Sequence, residues 1–516
     1  MTHRTILLLG GTGFIGSRLV SGLLQKGNKV RVAYRKKTQV LLKPWARQVQ
    51  LVQTNTFDRV SLREAMDGVD VVYYFIHAME DGVHDFEELD RVSAINTAEI
   101  AEDKGVGRII YLGALYDKTK KITKHLRSRQ AVEDIFKAGS VPSTVFRAAI
   151  ILGAGSVAFE ILRYLTERAP VMLVPPGLRT LNQPISVHNV LHYLTHCLEI
   201  PATVNDSFDI GGPEIVTYHD LIRLYNKLAD LPKRILIPSP FLPLQLGSYW
   251  IPRITGISRS IVEPLLYSLT NPAIVQDQRI QELIPQNLYT VEESIKLILS
   301  ERPHRVVRNK FYPSLTPPEW SMPGDPRWSG GYMYKEHRIM RVEATPREVW
   351  AGLERMGGKK GYFYWNWSWQ LRGLMDQVTG GLGLADRREK PNSLQKGDKF
   401  DLWHVLKADE EQRLLLWADM ALPGYGTLDF IIRPVDSSTS EVHEIIRFVP
   451  RGLMGYVYWS MVYFPHQFVL PGLLTGLMKF IDRPIISGPK RIDRSPPIWL
   501  DAFQLQGRIG HSTSPP

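Results

Sequence analysis

A chain of 516 residues, 44% hydrophobic and 22% charged, has the make-up of folded globular protein, which excludes a disordered chain and a polytopic membrane protein. At about three times an ordinary domain length it holds two large domains or three smaller ones. The net charge of +11 favours an anionic ligand or surface, but Lys and Arg are spread along the whole chain and select no partner. The single cysteine, Cys197, excludes an internal disulfide and fits a reducing cytoplasm.

Residues 5–9 are an apolar run followed by Gly10-Gly11-Thr12-Gly13-Phe14-Ile15-Gly16 and an amphipathic stretch to about Gln25. The run is too short for a secretory core and reads as a first buried strand, giving strand, glycine turn, helix. Residues 29–34 (KVRVAY) alternate like a second strand, spaced as a βαβ unit requires. Glycines let the main chain approach a pyrophosphate, and amides at the helix N-terminus supply donors. The turn is a candidate dinucleotide cradle; otherwise it only packs helix on strand. After Tyr34, where a carboxylate would meet the adenosine ribose hydroxyls, stand Arg35, Lys36 and Lys37. Cations there suit a 2′-phosphate and favour NADP over NAD, unless they are solvated loop charges.

Further strands are predicted at 49–53, 70–75, 108–112 and 143–146, with helices at 61–66, 85–104 and 126–137. Near-continuous apolar strands between amphipathic helices imply an α/β Rossmann-type, doubly wound parallel sheet. Asn55 and Asp58, after the third strand, fit an adenine-contacting pair. The stretch KTKKITKHLRSR (118–129) is dense in cations and free of acid, but no nucleic-acid module accompanies it, so no nucleic-acid partner is expected.

GGTGFIG, the strand DVVYYF followed by Ile76-His77, QPISVHNV (183–190) and FDIGG (208–212) together resemble an atypical extended short-chain dehydrogenase/reductase of the NmrA-like and YbjT-like kind, over roughly residues 1–300. The resemblance implies a nicotinamide cofactor and a catalytic helix bearing Tyr-x-x-x-Lys. His125 and Arg129 stand at those two positions, and Leu112-Gly113-Ala114 replaces the usual serine. His125, with an ordinary pKa of about 6.5, is then the proton partner, and Arg129 holds ribose or phosphate oxygens. In the bland alternative His125 only decorates the helix start. Tyr116 is a substitute acid if its loop folds back over the cofactor. Phe75, Ile76 and His77 lie close to where this fold places the nicotinamide, His77 being either a site residue or a polar strand end. Arg147 faces the cleft or pairs with an acid. No metal-site spacing appears, and GAGS (153–156) lacks the second glycine of a nucleophile elbow.

Residues 235–275 are apolar but carry six prolines, so no uninterrupted bilayer-spanning helix fits; the segment lines a cleft for an apolar ligand or packs as core. Residues 301–330, with Pro303, Pro313, Pro317, Pro318, Pro323 and Pro326, read as a linker. Ten of the twelve tryptophans follow from Trp320 onward, which supports a second domain at 331–485, with a tail at 486–516. A strand at 336–342, a capping box at Thr345-Pro346-Arg347-Glu348 with a helix through about Arg355, and strands at 399–407, 412–420, 427–433 and 441–449 imply an antiparallel meander. An apolar helical region follows at 455–481, broken at Pro465 and Pro471.

This order, with GGKKGYFYWNWSW and DMALPGYGTLDF, resembles the α+β helix-grip fold of START-like proteins, a domain of unassigned function in YbjT-like chains. Trp365, Trp367, Trp369, Trp403 and Trp417 line a cavity or fill a core. The apolar helices raise peripheral membrane contact as an alternative to burial. The expected protein is an NADP(H)-binding, cytoplasmic oxidoreductase of an apolar small molecule. Its rivals are a non-catalytic dinucleotide sensor or assembly factor, and a lipid-binding or transfer protein. Oligomeric state is not legible.

Overall fold

A computed structural model describes residues 3–81, 86–117, 119, 121–239, 243–300, 325, 326, 328, 329, 333–358, 361–378, 383, 384, 393–420 and 422–494. The chain divides into two units, residues 1–331 and 332–516.

The first unit begins with β1 (Thr5–Leu9), α1 (Phe14–Gln25), β2 (Lys29–Tyr34), α2 (Lys37–Val40), β3 (Gln50–Gln53), α3 (Arg59–Ala65), β4 (Val71–Tyr74), α4 (Phe86–Asp103), β5 (Arg108–Ala114), α5 (Lys124–Ala138) and β6 (Ser143–Ala148). It continues through β7 (Ile151–Leu152), α6 (Val157–Arg168), β8 (Val171–Val174), β9 (Leu181–Asn182), β10 (Ile185–Ser186), α7 (Val187–His196), β11 (Asp206–Ile210), β12 (Val216–Thr217) and α8 (Tyr218–Leu228). β13 (Ile235–Pro238), α9 (Leu244–Thr255), α10 (Arg259–Ser268), α11 (Arg279–Leu283) and α12 (Val291–Ser300) complete it.

Seven strands form one parallel sheet in the order β11-β6-β5-β4-β1-β2-β3. β1 shows why helices cover both faces. Ile6 and Leu8 pack with Leu19, Leu23 and Tyr193 of α1 and α7, whereas Leu7 and Leu9 pack with Ile100, Val132 and Phe136 of α4 and α5. Each such buried Leu or Ile contributes about 1.5–3 kcal/mol. Arg147 pairs with acids: it donates to Glu133 at 2.6 and 2.9 Å and to Asp209 at 3.1 Å. In the proline-rich middle, Pro252 and Pro264 lie inside α9 and α10, yet the two helices are only 12 and 10 residues long.

The predicted linker lies outside the described residues except for Asp325, Pro326, Trp328 and Ser329. These belong to the first unit: Trp328 packs beside Ile161 and Leu269, and its carbonyl accepts from Tyr164 Oη at 2.7 Å.

The second unit contains β14 (Tyr334–Val342), α13 (Pro346–Leu353), α14 (Asn366–Val378), β15 (Lys399–Phe400), β16 (Trp403–Asp409), β17 (Arg413–Ala418), β18 (Gly424–Pro434), β19 (Ser440–Pro450), α15 (Gly452–Val462), α16 (His466–Phe480) and β20 (Ile485–Arg494). Its antiparallel sheet runs β15-β16-β17-β18-β19-β14-β20. The capping box forms as expected, Thr345 and Glu348 each accepting the other's amide. α13 and α16 lay Val349, Leu353, Leu473 and Leu477 on the same core as Met340, Val405 and Leu416.

Four expectations need correction here. Residues 486–494 are not tail but part of the edge strand β20. The predicted strand at 399–407 is two strands, because Asp401, at φ +46°, reverses the chain between them. Pro465 ends the first apolar helix as expected, but Pro471 lies inside α16, at its sixth residue, where the only bond it removes is the one to the Gln467 carbonyl. The five tryptophans do not share a cavity either. Trp365 and Trp367 are exposed, Trp369 and Trp403 pack on the core, and Trp417 is half-buried against Tyr425.

Candidate functional site

β1 and β4 are neighbours at the point where strand order reverses, so the C-terminal ends of these strands bound a crevice. A cleft of about 520 Å³ opens there. Gly10 leaves β1 at φ +83°, and a Cβ on it would sit 2.8 Å from Phe75 O. A Cβ on Gly16, in the first turn of α1, would come within 2.5 Å of Gly10 O, so only glycine lets helix and loop close together. Gly13 is the N-cap and brings no side-chain acceptor to the first-turn amides. These donors, at the positive end of a helix that lines the cleft, fit the pyrophosphate of a dinucleotide.

Gly10, Thr12, Gly13, Phe14, Ile15 and Gly16 line the cleft, as do Arg35, Lys36 and Asn55 toward β2 and β3. Phe75, Ile76, His77, His125 and Arg129 line it toward β5 and α5. Three expected residues do not join them. Gly11 faces the interior, where a Cβ would meet Val32 Cγ1 at 2.8 Å and Leu8 Cβ at 3.0 Å. Asp58 caps α3, accepting from Val60 N at 3.1 Å. Tyr116 is buried away from the cleft, and burial pushes its phenol up to about 12.

The cationic stretch divides by helical face. Lys124 and Arg127 point outward toward Glu87, at 3.9 and 3.2 Å, while His125, Ser128 and Arg129 turn inward; Lys118 and Lys120 lie outside the described residues. His125 Nδ1 is 3.0 Å from Ser268 Oγ, which donates its own hydrogen to Pro264 O at 2.9 Å. His125 therefore donates from Nδ1 and keeps its lone pair on Nε2. Beside it, 5.3 Å between ring centres, His77 donates from Nδ1 to Asp90 at 2.8 Å, and its buried Nε2 has no hydrogen-bond partner among the described residues.

Asp90 is fully enclosed and accepts further bonds from Ala78 N at 2.8 Å and Ser128 Oγ at 2.6 Å. Burial opposes its charge, but the His77 and Ser128 bonds and the nearby Arg129 bring its pKa down to about 2. Burial, reinforced by Arg129, brings His77 down to about 4, and burial with His77 and Arg129 as neighbours holds His125 well below its usual value. The expectation that His125 titrates near neutrality is thus overturned: both imidazoles are neutral at pH 7 and present lone pairs. Arg129 stays charged because Tyr111 and Asp90 outweigh its burial.

Asp90, Ser128 and Ser268 were not foreseen. Their only signal is position, one residue before Arg129 for Ser128 and none for the other two.

A second cavity of about 210 Å³ adjoins the cleft, walled mainly by apolar residues, among them Trp250, Ile251, Val262 and Leu266 of the proline-rich middle. His125, Ala114, Ala148 and Leu265 line both spaces. Among the described residues no helix is long and apolar enough to cross a membrane.

Residues 10–163 match the NAD(P)H-binding family model, and residues 328–473 match a protein of unknown function, DUF2867. The chain is 27% identical over 320 residues to mouse "NADH dehydrogenase [ubiquinone] 1 alpha subcomplex subunit 9, mitochondrial", spanning 58% of this chain and 80% of that one. It is 26% identical over 243 residues to the bifunctional pinoresinol-lariciresinol reductase 1 of Thuja plicata, spanning 44% and 75%. The triphenylmethane reductase structure from Citrobacter sp. aligns with a TM-score of 0.47 at 19% identity, over 57% of this chain and 99% of that one. The first unit thus carries an NAD(P)-binding Rossmann domain of the NmrA-like short-chain dehydrogenase/reductase superfamily.

Proposed function

We propose that the protein is an NADP(H)-dependent reductase of an apolar small molecule. The observation that carries this reading is the shared wall: the cleft and the apolar cavity lie side by side, with His125 lining both. The glycine turn and the amides of α1 hold the pyrophosphate, Arg35 and Lys36 receive a 2′-phosphate, and Asn55 faces the adenine. Arg129 orients the nicotinamide half, beside Phe75, Ile76 and His77. The nicotinamide supplies or accepts hydride when bound. His125 exchanges the proton through Nε2, its ring held by Ser268, and because it is neutral at pH 7 reduction quickens as pH falls. Similarity to the bifunctional pinoresinol-lariciresinol reductase of Thuja plicata supports a reductase. The antiparallel sheet gripped by α16 is proposed as a START-like helix-grip domain that holds or delivers the substrate, in a cytoplasmic protein.

The test is anaerobic mixing of NADPH-loaded protein with apolar ketones, enones and quinones. Loss of reduced-nicotinamide absorbance supports the proposal, and tight NADPH binding without turnover of any class contradicts it. That second outcome is what a dinucleotide sensor or assembly factor would give. Two observations favour this alternative: neither imidazole is protonated at neutral pH, and a mitochondrial NADH dehydrogenase subunit is a relative.

A further inference from the structure

The second unit carries an apolar surface that its own fold leaves uncovered. α14 buries only Gly373 and Asp376. Its outward stripe, Trp367, Leu371, Leu374, Met375 and Val378, follows helical spacing, and Val378 is 81% exposed. α15 buries Gly455, Tyr456 and Trp459 on one side and presents Met454, Val457 and Met461 on the other. Phe464 and Phe468 continue that side into the start of α16, Met454 being 62% and Phe464 65% exposed.

The two stripes meet. The Trp365 ring lies 5.7 Å from Trp367 and 6.1 Å from Phe468, centre to centre. Anchoring comes from small residues in α16: a Cβ on Gly472 would fall 2.1 Å from the Tyr364 ring, and one on Gly476 2.6 Å from Phe363 O. Phe363 and Trp365 hold left-handed φ values of +63° and +45°, which bulky side chains avoid, and this strain turns the chain so that Trp365 emerges. Single exposed apolar residues need no cause, but a continuous set of aromatic, Leu and Met side chains on adjoining helices marks a docking surface.

Charge says what docks. Residues 355–375 hold Arg355, Lys359, Lys360 and Arg372 and no acid; residues 451–481 hold Arg451 and Lys479 and no acid. Asp376, the first acid after the earlier segment, is buried. Tryptophan at one end, an apolar stripe and flanking segments that carry cations and no acid suit a helix lying in the headgroup layer of an anionic membrane. We propose that the face formed by α14, α15 and the start of α16 docks on an anionic phospholipid bilayer, lying on it without crossing. This inference does not rest on the enzymatic reading, since it concerns the second unit alone.

Co-sedimentation of the full chain with vesicles of phosphatidylcholine, alone or mixed with phosphatidylglycerol, tests it. The expected result is recovery with the mixed vesicles, at least about ten-fold above pure phosphatidylcholine, with a blue shift of tryptophan emission. Leu374→Ser with Met461→Ser should abolish recovery, and both positions are exposed, so an unchanged thermal transition shows that folding is intact. Arg451→Glu with Lys479→Glu should remove the preference for anionic lipid. Failure of the wild-type chain to sediment with either vesicle overturns the proposal, as does equal recovery on both. A lipid-free dimer that the apolar double substitution dissolves would assign the face to a second copy of the chain and would also overturn it.

Discussion

In the first unit buried charge is partnered, both beside the end of β4 and between β6 and β11 within the sheet. Asp90 accepts three hydrogen bonds, and Arg147 is clamped between Glu133 and Asp209. In the second unit buried charge sits in the middle of a sheet face. Glu336 and Arg338 share the inward side of β14 with Met340, and Arg338 faces Glu444 across the ladder to β19. Arg338 donates to Glu336 at 2.9 Å, but its other nitrogen is 3.8 Å from Glu444, whose two oxygens have no hydrogen-bond partner among the described residues. Burial pushes Glu444 up to about 8, with Arg338 only partly offsetting it. The two sheets differ in pairing: the acids around Arg147 and His77 are held by hydrogen bonds, whereas Glu444 lies in the antiparallel sheet with none among the described residues.

The sharpest way to break this contrast is Gly16→Val. The added side chain collides with Gly10 O, so dinucleotide binding measured by calorimetry should be lost, while the tryptophan-reported unfolding of the second unit stays unchanged. Next in size is the pH dependence of that unfolding. Glu444 is protonated when folded at neutral pH and ionised when unfolded, so its contribution is complete below about pH 4.5 and is lost as pH rises toward 8. The loss is on the order of 4 kcal/mol, and Glu444→Gln should abolish the slope in urea titrations followed by tryptophan fluorescence.

In the first unit the sign reverses. His77 has a folded pKa of about 4 against 6.5 unfolded, so stability falls as pH drops through that window. His77→Gln should flatten it by roughly 3 kcal/mol in hydrogen exchange of the sheet amides. A smaller effect is expected at the adenosine end, where Arg35→Ser with Lys36→Ser should weaken NADPH about ten-fold, or about 1.4 kcal/mol, and leave NADH unchanged. Smallest is Ser268→Ala, which frees the His125 ring and should cost about 1 kcal/mol in the barrier to reduction, read as kcat with KM unchanged.

What could be read in the sequence follows the same division. The strand, glycine turn and helix of β1-α1 are local, and Gly10, Gly13 and Gly16 stand where backbone geometry needs them. His125 and Arg129 come into view only through the family resemblance, as the residues standing at the Tyr-x-x-x-Lys positions, and the structure places both on the cleft wall. Asp90 was not legible, because it meets His77 only when α4 docks beside the end of β4. The place of Tyr116 stays open in the sequence, because nothing local says which way its loop folds. In the second unit, β20 has alternation too weak to separate it from a tail, and Glu444 is one of two acids in SEVHEIIRFVP. Only the register opposite Arg338 shows that it points inward.

Isothermal titration of the folded full chain with NADPH, NADP⁺, NADH and NAD⁺ tests the central claim most directly. One saturable site per chain, tighter for the phosphorylated pair and absent in Gly16→Val, is the predicted result. No heat with any of the four dinucleotides would contradict the account.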